Sequence, residues 1–253
     1  MSASQFDLRD KVAVISGCNT GLGQGMALAL AEAGCHILGV NYSEPKDTKA
    51  QVESLDRGFV NIHADLRKTD AIKEIVETAV NHFGQIDILV NNAGIIKRND
   101  AYDFTEEEWD DVLNINLRTL FFMAQAVARQ YRKQGNGGKI INVASMLSYQ
   151  GGVRVPSYTA SKSGVMGLTR ALANEWAADG INVNAIAPGY MATNNTEQLR
   201  KDPDRSQELL GRIPAGRWGT PNDMKGPIVF LASQASDYVN GFTLAVDGGW
   251  LAR

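Results

Sequence analysis

The chain alternates short, nearly continuous apolar runs with longer segments of helical periodicity, and this alternation restricts the possible folds more than any other feature. Apolar runs such as residues 11–16 and 86–90 are typical of strands that are buried on both faces of a sheet. Strands separated by helices form parallel sheets with right-handed connections and helices on both sides. We therefore predict an α/β fold, a single doubly wound Rossmann-type domain over residues 1–253, with a parallel sheet of about seven strands flanked by helices.

The predicted strands are residues 11–16, 35–40, 58–63, 86–90, 139–143, 181–186 and 242–246. Helices are predicted at residues 22–33, 69–83, 106–114, 117–133, 157–178 and 224–232. The polar stretch 189–214 interrupts this alternation after the sixth strand. Because long loops at the edge of a compact domain are usually functional, we predict that this stretch is a substrate loop.

Charge and the distribution of special residues exclude several classes of function. The net charge is -3 and no Lys/Arg-rich run is present, which argues against a nucleic-acid partner. Cys18 and Cys35 form no CxxC pair and the three histidines are isolated, so we predict no metal site and a reducing compartment. The sequence shows neither a signal-peptide pattern nor a long apolar window, so we expect a cytoplasmic protein without a membrane partner.

The first predicted strand runs into a glycine-rich turn and then into a helix. Gly17, Gly21 and Gly23 have the spacing G-x-x-x-G-x-G. One glycine permits a tight turn, and the others let backbone amides and the helix N-terminus approach a pyrophosphate. The alternative is a glycine-rich turn that only packs. We predict a dinucleotide site, formed here by Gly17, Asn19, Thr20, Gly21, Leu22 and Gly23.

Further residues of this site are predicted at the carboxyl ends of other strands, where open α/β sheets bind their ligands. A carboxylate after the third strand can accept a hydrogen bond from an adenine amine, and small residues after the fourth let a cofactor lie against the backbone. The residues are Asp65 and Leu66 after the third strand, Asn92, Ala93 and Gly94 after the fourth, and Pro188 and Gly189 after the sixth.

The end of the second strand bears on the choice between NAD and NADP. A carboxylate there would bind the ribose 2′-hydroxyl and an arginine would bind a 2′-phosphate, but the chain has Asn41 and Tyr42. No arginine lies in residues 17–23 or 41–48, and an uncompensated 2′-phosphate would bind poorly. We therefore predict NAD as the cofactor, with Asn41 and Tyr42 at its ribose, although the missing aspartate leaves NADP open.

Tyr158 and Lys162 lie four residues apart in a predicted helix and therefore share one face. An ammonium near a phenol favours the ionised form, which would lower the tyrosine pKa from roughly 10 towards that of a working acid/base. Ser145, after the fifth strand, can direct its hydroxyl to the same point. This set suits the interconversion of an alcohol and a ketone; the alternative is a Tyr–Lys pair on an exposed helix face.

Together these motifs resemble the short-chain dehydrogenase/reductase family over essentially the whole chain. The resemblance is carried, in order and spacing, by glycines 17, 21 and 23, residues 91–94, Asn116, Ser145, Tyr158, Lys162 and residues 188–189. It implies that Tyr158 is the acid/base, that Ser145 orients the substrate oxygen, and that Lys162 binds the nicotinamide ribose and lowers the Tyr158 pKa. It further implies that Asn116 holds a water between Lys162 and solvent, that Thr193 lies near the nicotinamide carboxamide, and that the protein is a homotetramer.

Residues 94–98, 144–148, 151–156 and 189–195 resemble, more narrowly, family members that act with NAD on an acidic sugar in the breakdown of pectin-derived uronates. A small carboxylated polyol is the implied substrate, and arginine can pair bidentately with its carboxylate. The candidate substrate residues are Ser145, Arg154 first among the cations, Lys97, Arg98, Gln150, Asn194 and Asn195. The alternatives are a gluconate 5-dehydrogenase, a reductase of carrier-bound 3-oxoacyl groups that would use NADPH, and a non-catalytic dinucleotide-binding module.

Overall fold

The computed structural model describes residues 4–253, apart from the side chain of residue 195. The strands are β1 (Val12–Ser16), β2 (His36–Asn41), β3 (Phe59–His63), β4 (Ile88–Asn91), β5 (Gly138–Val143), β6 (Ile181–Pro188) and β7 (Thr243–Val246). They form one sheet of seven strands in the order β3-β2-β1-β4-β5-β6-β7, and all neighbouring pairs are parallel. The predicted α/β fold is confirmed, with small differences at the strand ends.

The helices are α1 (Gly21–Glu32), α2 (Lys46–Glu53), α3 (Ile72–Phe83), α4 (Glu106–Leu113), α5 (Leu120–Gln134), α6 (Pro156–Trp176), α7 (Glu197–Lys201), α8 (Pro203–Arg212) and α9 (Lys225–Ala232). A π-helical turn, Asn114–Thr119, joins α4 to α5. The sequence patterns missed α2, α7 and α8. Each of these helices is polar and buries few side chains: Thr48 and Val52 in α2, only Leu209 in α8 and none in α7.

The core lies on both faces of the sheet, as the continuous apolar runs predict. Along β1, Ala13 and Ile15 pack in one cluster with α1 and α9, while Val14 packs in the opposite cluster with α3 and α5. This division follows from the two-residue period of a strand, which sends successive side chains to opposite faces. A third cluster lies under the 189–214 segment and includes Leu209 and Trp250.

Parallel pairing places the carboxyl ends of all strands on one edge of the sheet. The chain enters the sheet at β1, builds β2 and β3 on one side, and then crosses to β4 on the other. Ligands of open α/β sheets bind at this switch point, outside the carboxyl ends. Within residues 4–253, none of the helices combines the length and apolarity that are needed to span a bilayer.

Candidate active site

A cleft of about 1180 Å³ runs along the carboxyl edge of the sheet. It brings together most of the predicted site residues: Gly17, Asn19, Thr20, Gly21, Leu22, Gly23, Tyr42, Asp65, Leu66, Asn92, Ala93, Gly94, Lys97, Arg98, Ser145, Gln150, Tyr158, Lys162, Pro188, Gly189, Thr193 and Asn194. Asn41, Asn116 and Arg154 do not line the cleft, and the side chain of Asn195 lies outside what the structure describes.

The glycine-rich turn is shaped to receive a phosphate group. Gly17 and Gly21 have φ angles of +68° and +60°, in the left-handed region that glycine adopts most readily. A Cβ atom on Gly23 would lie 2.0 Å from the carbonyl oxygen of Gly17, so only glycine fits at that position. The described residues supply no side-chain cap and no acidic group to the first turn of α1. Its amides therefore suit an anion, and the turn fits the pyrophosphate of a dinucleotide.

Ser16 joins the glycine turn to the loop after β4. Its Oγ accepts hydrogen bonds from the backbone amides of Asn92 (3.1 Å) and Ala93 (3.0 Å). The Asn92 side chain donates in return to the carbonyl oxygens of Ser16 (3.0 Å) and Gly17 (2.8 Å). The hydroxyl that precedes the first glycine therefore fixes two cofactor-facing loops to each other, a role that the sequence reasoning did not identify.

Asn41, predicted to face the ribose, turns away from the cleft. It is only 2% exposed, and its Nδ2 donates to Asn61 Oδ1 (2.8 Å) and contacts Cys18 Sγ (3.5 Å). Its Oδ1 has no hydrogen-bond partner among the described residues. The prediction for Asn41 is therefore wrong in this structure: Tyr42 and Ser43 line the cleft at this end.

Asp65, predicted to meet an adenine amine, lines the cleft but is already engaged by an arginine. Both carboxylate oxygens of Asp65 accept hydrogen bonds from Arg67, at distances of 2.7 to 3.1 Å. These bonds lower the pKa of Asp65, so the carboxylate is ionised at neutral pH. Arg67 also lies 3.9 Å from Asp111, so its charge is compensated on two sides. The sequence reasoning did not single out Arg67.

Tyr158, Ser145 and Lys162 converge on the same part of the cleft. A hydrogen bond with the Ser145 side chain and the positive charge of Arg98 both lower the pKa of the Tyr158 phenol, but burial raises it more strongly. The net pKa lies above its usual value, so the expectation of a lowered pKa is wrong in this structure. The geometry nevertheless places a neutral phenol and a serine hydroxyl together, an arrangement that can donate a proton to a bound oxygen atom.

Lys162 is 3% exposed, and its Nζ donates a 2.6 Å hydrogen bond to the carbonyl oxygen of Val143. The Nζ atom lies 5.6 Å from the centre of the Tyr158 ring. Burial lowers the pKa of Lys162 from 10.5 to about 8, because the protein interior disfavours the charged form. The lysine is therefore held against the end of β5, with a pKa close to neutrality.

Asn116 lies in the π-helical turn and fixes the loop after β4. Its Oδ1 accepts a hydrogen bond from the Ile95 amide (2.9 Å), and its Nδ2 donates to the Ile95 carbonyl (3.0 Å). The Nδ2 also donates to Ser161 Oγ (3.2 Å), and that hydroxyl donates to the Tyr158 carbonyl (2.8 Å). Asn116 thus links the cofactor-facing loop to the helix that carries Tyr158. The predicted water between Lys162 and solvent stays a prediction.

The structure places some of the predicted substrate residues in the cleft and others outside it. Arg154, the first candidate, is exposed, has a φ of +63° and does not line the cleft. Lys97 lies 3.4 Å from Asp111, which compensates its charge. Arg98 lies close enough to Tyr158 to affect its pKa. Gln150 lines the cleft, and its Oε1 accepts a 2.9 Å hydrogen bond from Trp250 Nε1.

The structure adds cleft residues from the 189–214 segment and from the C-terminus: Tyr190, Arg205, Arg212 and Trp250. The Tyr190 ring lies 4.7 Å from Trp250 and 5.7 Å from Trp218, measured between ring centres. Arg212 Cζ lies 4.2 Å above the Trp250 ring. The polar composition of residues 189–214 indicated a functional segment, but no local pattern pointed to its contact with the C-terminus.

The chain is similar to known proteins over nearly its whole length. A family model described as enoyl-(acyl carrier protein) reductase matches residues 17–251. The chain is 67% identical over 253 residues to the 2-dehydro-3-deoxy-D-gluconate 5-dehydrogenase of Escherichia coli (strain K12), covering 100% of both chains. It is 55% identical over 249 residues to the protein of the same name from Bacillus subtilis (strain 168), covering 98% of this chain and 97% of that one.

A solved structure from Agrobacterium tumefaciens, provisionally assigned as a 2-deoxy-D-gluconate 3-dehydrogenase and containing bound NADP, superposes with a TM-score of 0.94. It is 49% identical to the chain, and the match covers 99% of this chain and 100% of that one.

Proposed function

Because the chain belongs to the short-chain dehydrogenase/reductase family and is an oxidoreductase, we propose that it interconverts 2-dehydro-3-deoxy-D-gluconate and 3-deoxy-D-glycero-2,5-hexodiulosonate with NAD(H). The reaction belongs to the breakdown of pectin-derived uronates. The observation that carries the proposal is the convergence of Ser145, Tyr158 and Lys162 in the cleft that also contains the glycine-rich turn. Relatives named for this reaction, with matches covering essentially the whole chain, support the choice of substrate.

Tyr158 donates the proton in the direction of ketone reduction. Its raised pKa keeps the phenol protonated at neutral pH, and the Ser145 hydroxyl lies beside it to hold the ketone oxygen. A bound nicotinamide dinucleotide supplies the hydride in reduction and accepts it in oxidation. As negative charge develops on the substrate oxygen, the phenol proton moves to that oxygen. The positive charge of Arg98 favours the phenolate that remains.

Lys162 contributes a nearby charge and a hydrogen-bond donor rather than a direct contact with the phenol. Its ammonium has donors beyond the one used by Val143, and these can bind ribose hydroxyls that enter the cleft. With a pKa of about 8, the side chain can also release and recover a proton near neutral pH.

We propose NAD as the cofactor because the ribose end of the cleft lacks an uncompensated arginine among the residues that the structure describes. Arg67 lines this end, but Asp65 and Asp111 already compensate its charge. A 2′-phosphate would therefore meet the Asp65–Arg67 pair instead of an unpaired guanidinium, and it would bring two negative charges close to two carboxylates. The NADP bound to the Agrobacterium relative argues the other way, so the cofactor has to be measured on this chain.

The deciding experiment measures oxidation of NADH and of NADPH by the purified protein with the diketo acid as substrate. 5-Ketogluconate and a 3-oxoacyl thioester serve as competing substrates, and Tyr158→Phe serves as the inactive control. We expect the highest kcat/KM for the diketo acid with NADH. A higher kcat/KM with either competitor would refute the proposed substrate, and a preference for NADPH would refute the proposed cofactor alone.

The family resemblance also supports a homotetramer in the cytoplasm. Half-exposed Trp109 on α4 and Phe122 on α5 would be covered in such an assembly. Residues 189–214, which form α7, α8 and the wall of the cleft near Ser145, are proposed as the substrate-binding segment of the domain.

A further inference from the structure

The cleft contains several cationic side chains besides Lys162, and most of them have a carboxylate partner. Arg67 pairs with Asp65, Lys97 with Asp111, and Arg205 with Glu208. Arg212 also lines the cleft, but within the described residues it has neither an ion-pair partner nor a hydrogen-bond acceptor. A guanidinium without a partner at the wall of a binding cleft is suited to an anionic ligand.

The contact that Arg212 does make leaves its hydrogen-bonding edge open. Its Cζ lies 4.2 Å from the centre of the Trp250 ring, so the cation rests on the face of the indole. A cation–π contact of this kind engages the charge of the guanidinium and uses none of its N–H donors as hydrogen bonds. The geometry therefore orients the guanidinium and still permits a bidentate pair with a carboxylate.

Trp250 is a fixed platform for this arginine. Its side chain is 5% exposed, packs at 4.7 Å from Tyr190 and donates a 2.9 Å hydrogen bond from Nε1 to Gln150 Oε1. On the other side of the contact, Leu209 and Ile213 are buried in the same cluster and hold the end of α8 in place. Both partners of the Arg212–Trp250 stack are thus anchored by buried contacts.

The stack lies at the substrate end of the cleft. Gln150, which binds Trp250, follows the short helical turn Met146–Ser148 that begins directly after Ser145. Arg98, by contrast, acts on Tyr158 and therefore lies near the reacting oxygen. In the proposed substrate, carbons 2 to 4 separate the carboxylate from the ketone at carbon 5. The carboxylate therefore requires a second cationic group, away from Tyr158 but on the same wall.

We propose that Arg212, oriented by Trp250, binds the substrate carboxylate and determines specificity for acidic sugars over neutral ones. This inference rests on the proposed function and deepens it. Arg154, which the sequence favoured for this role, is displaced from it because Arg154 does not line the cleft.

The test compares Arg212→Gln and Arg212→Lys with the wild-type enzyme. Arg217→Gln is the control, because Arg217 lies outside both the cleft lining and the 189–214 segment and is paired with Asp223. The substrates are the diketo acid and its methyl ester, which keeps the ketone and loses the charge. The dissociation constant of NADH is measured for each variant to confirm that the cofactor site is intact.

We expect Arg212→Gln to raise KM for the acid by about 10- to 100-fold, the range for loss of a charge-assisted pair, with little change for the ester. Arg212→Lys should have an intermediate KM, because lysine keeps the charge but loses the bidentate fork. Arg217→Gln should resemble the wild type. If Arg212→Gln raised KM no more than Arg217→Gln does, or raised it equally for acid and ester, the proposal would be overturned.

A binding measurement separates this inference from the choice of substrate. The affinities of D-gluconate and of neutral D-glucitol are measured by calorimetry in the presence of NADH. A loss of gluconate affinity alone in Arg212→Gln supports the carboxylate subsite even if the wild-type enzyme does not reduce the diketo acid, a result that would refute only the proposed function. Equal affinity of both proteins for gluconate would overturn the subsite.

Discussion

Lys162 donates a 2.6 Å hydrogen bond from Nζ to the carbonyl oxygen of Val143, the last residue of β5. The lysine is therefore anchored to the end of a central strand, while its ammonium stays 5.6 Å from the centre of the Tyr158 ring. Tyr158 and Lys162, which the sequence paired, thus share one environment in the cleft rather than forming a direct bond with each other. Burial favours the neutral form of both side chains: it lowers the pKa of Lys162 to about 8 and raises the pKa of Tyr158.

Replacing Tyr158 by phenylalanine should remove the proton donor and leave the cleft in place. We expect kcat to fall by about 10²- to 10⁴-fold, the usual contribution of general acid/base catalysis, with little change in NADH affinity. Steady-state kinetics and fluorescence titration of NADH measure the two effects. Near-normal turnover in Tyr158→Phe would show that another group supplies the proton.

The raised pKa of Tyr158 predicts different pH profiles for the two directions of the reaction. Reduction needs the protonated phenol, which predominates throughout the neutral range, so its rate should not require alkaline pH. Oxidation needs the phenolate, whose fraction grows with pH, so its rate should rise from about pH 7 to about pH 9. Initial rates in both directions across this range provide the check, and an oxidation rate that falls with increasing pH would contradict it.

Lys162→Met should inactivate the enzyme yet stabilise the fold at neutral pH. The folded-state pKa of Lys162 lies below its ordinary value of 10.5, so the charged form is disfavoured in the folded state, by about 3 kcal/mol at most. Loss of the bond to Val143 offsets part of this gain, leaving an expected increase of roughly 1–2 kcal/mol in the free energy of unfolding at neutral pH.

The sign of the pH dependence follows from proton linkage. Between about pH 8 and 10.5 the unfolded wild-type chain binds more protons than the folded chain, so wild-type stability rises with pH and the advantage of Lys162→Met shrinks. Urea denaturation at about pH 7 and about pH 10 measures the change. Lys68→Met, at an exposed position, is the control. If the Lys162→Met protein were less stable than the wild type at neutral pH, burial of the charged lysine would not carry the proposed free-energy cost.

Asn41→Asp should lower stability rather than improve NAD binding. Asn41 is buried and donates to Asn61, so an aspartate would place a carboxylate where an amide donor is needed. We expect a loss of about 1–3 kcal/mol, with the buried carboxylate showing a raised pKa. Tyr42→Asp is the matched variant: Tyr42 is 68% exposed and lines the cleft, so there a carboxylate should raise the NADH preference without loss of stability.

Thermal melting and kcat/KM ratios for NADH against NADPH distinguish the two positions. A stable Asn41→Asp protein with a stronger NADH preference would mean that the Asn41 side chain reaches the ribose after all.

Gly23→Ala should destabilise the glycine turn and abolish dinucleotide binding. The added methyl group would lie 2.0 Å from the Gly17 carbonyl oxygen and 2.5 Å from Asn92 Nδ2, so the turn has to shift, at a cost of about 1–3 kcal/mol. A methyl group added to Gly167, in α6, would meet no described atom within 4 Å beyond its chain neighbours and the adjacent backbone of its own helix, so Gly167→Ala should instead stabilise the helix by up to about 1 kcal/mol. Equal NADH affinity of Gly23→Ala and Gly167→Ala would contradict the inference that only glycine fits at position 23 of the dinucleotide-binding turn.

Patterns that lie within short stretches of sequence determined the fold and most of the cleft. The apolar period of β1 predicts a strand buried on both faces, and the structure divides Ala13 and Val14 between the two cores accordingly. Parallel strands then bring residues such as Ser145 and Gly17 to one edge of the sheet, since carboxyl ends meet there. Helices α2 and α8 escaped prediction because their few buried residues leave only a weak periodic signal.

Tertiary structure alone decided the direction and environment of individual side chains. Asn41 turns towards Asn61 on the neighbouring strand, and Arg212 meets Trp250 from a distant part of the chain, so neither contact has a local sequence signature. The pKa of Tyr158 also depends on the tertiary structure. Sequence spacing places the Tyr158 side chain near Lys162, but in the folded chain burial raises the Tyr158 pKa more than nearby positive charge lowers it. Sequence thus predicted most of the groups that meet at the cleft, whereas desolvation and packing, which exist only in the folded chain, decided how these groups are oriented and charged.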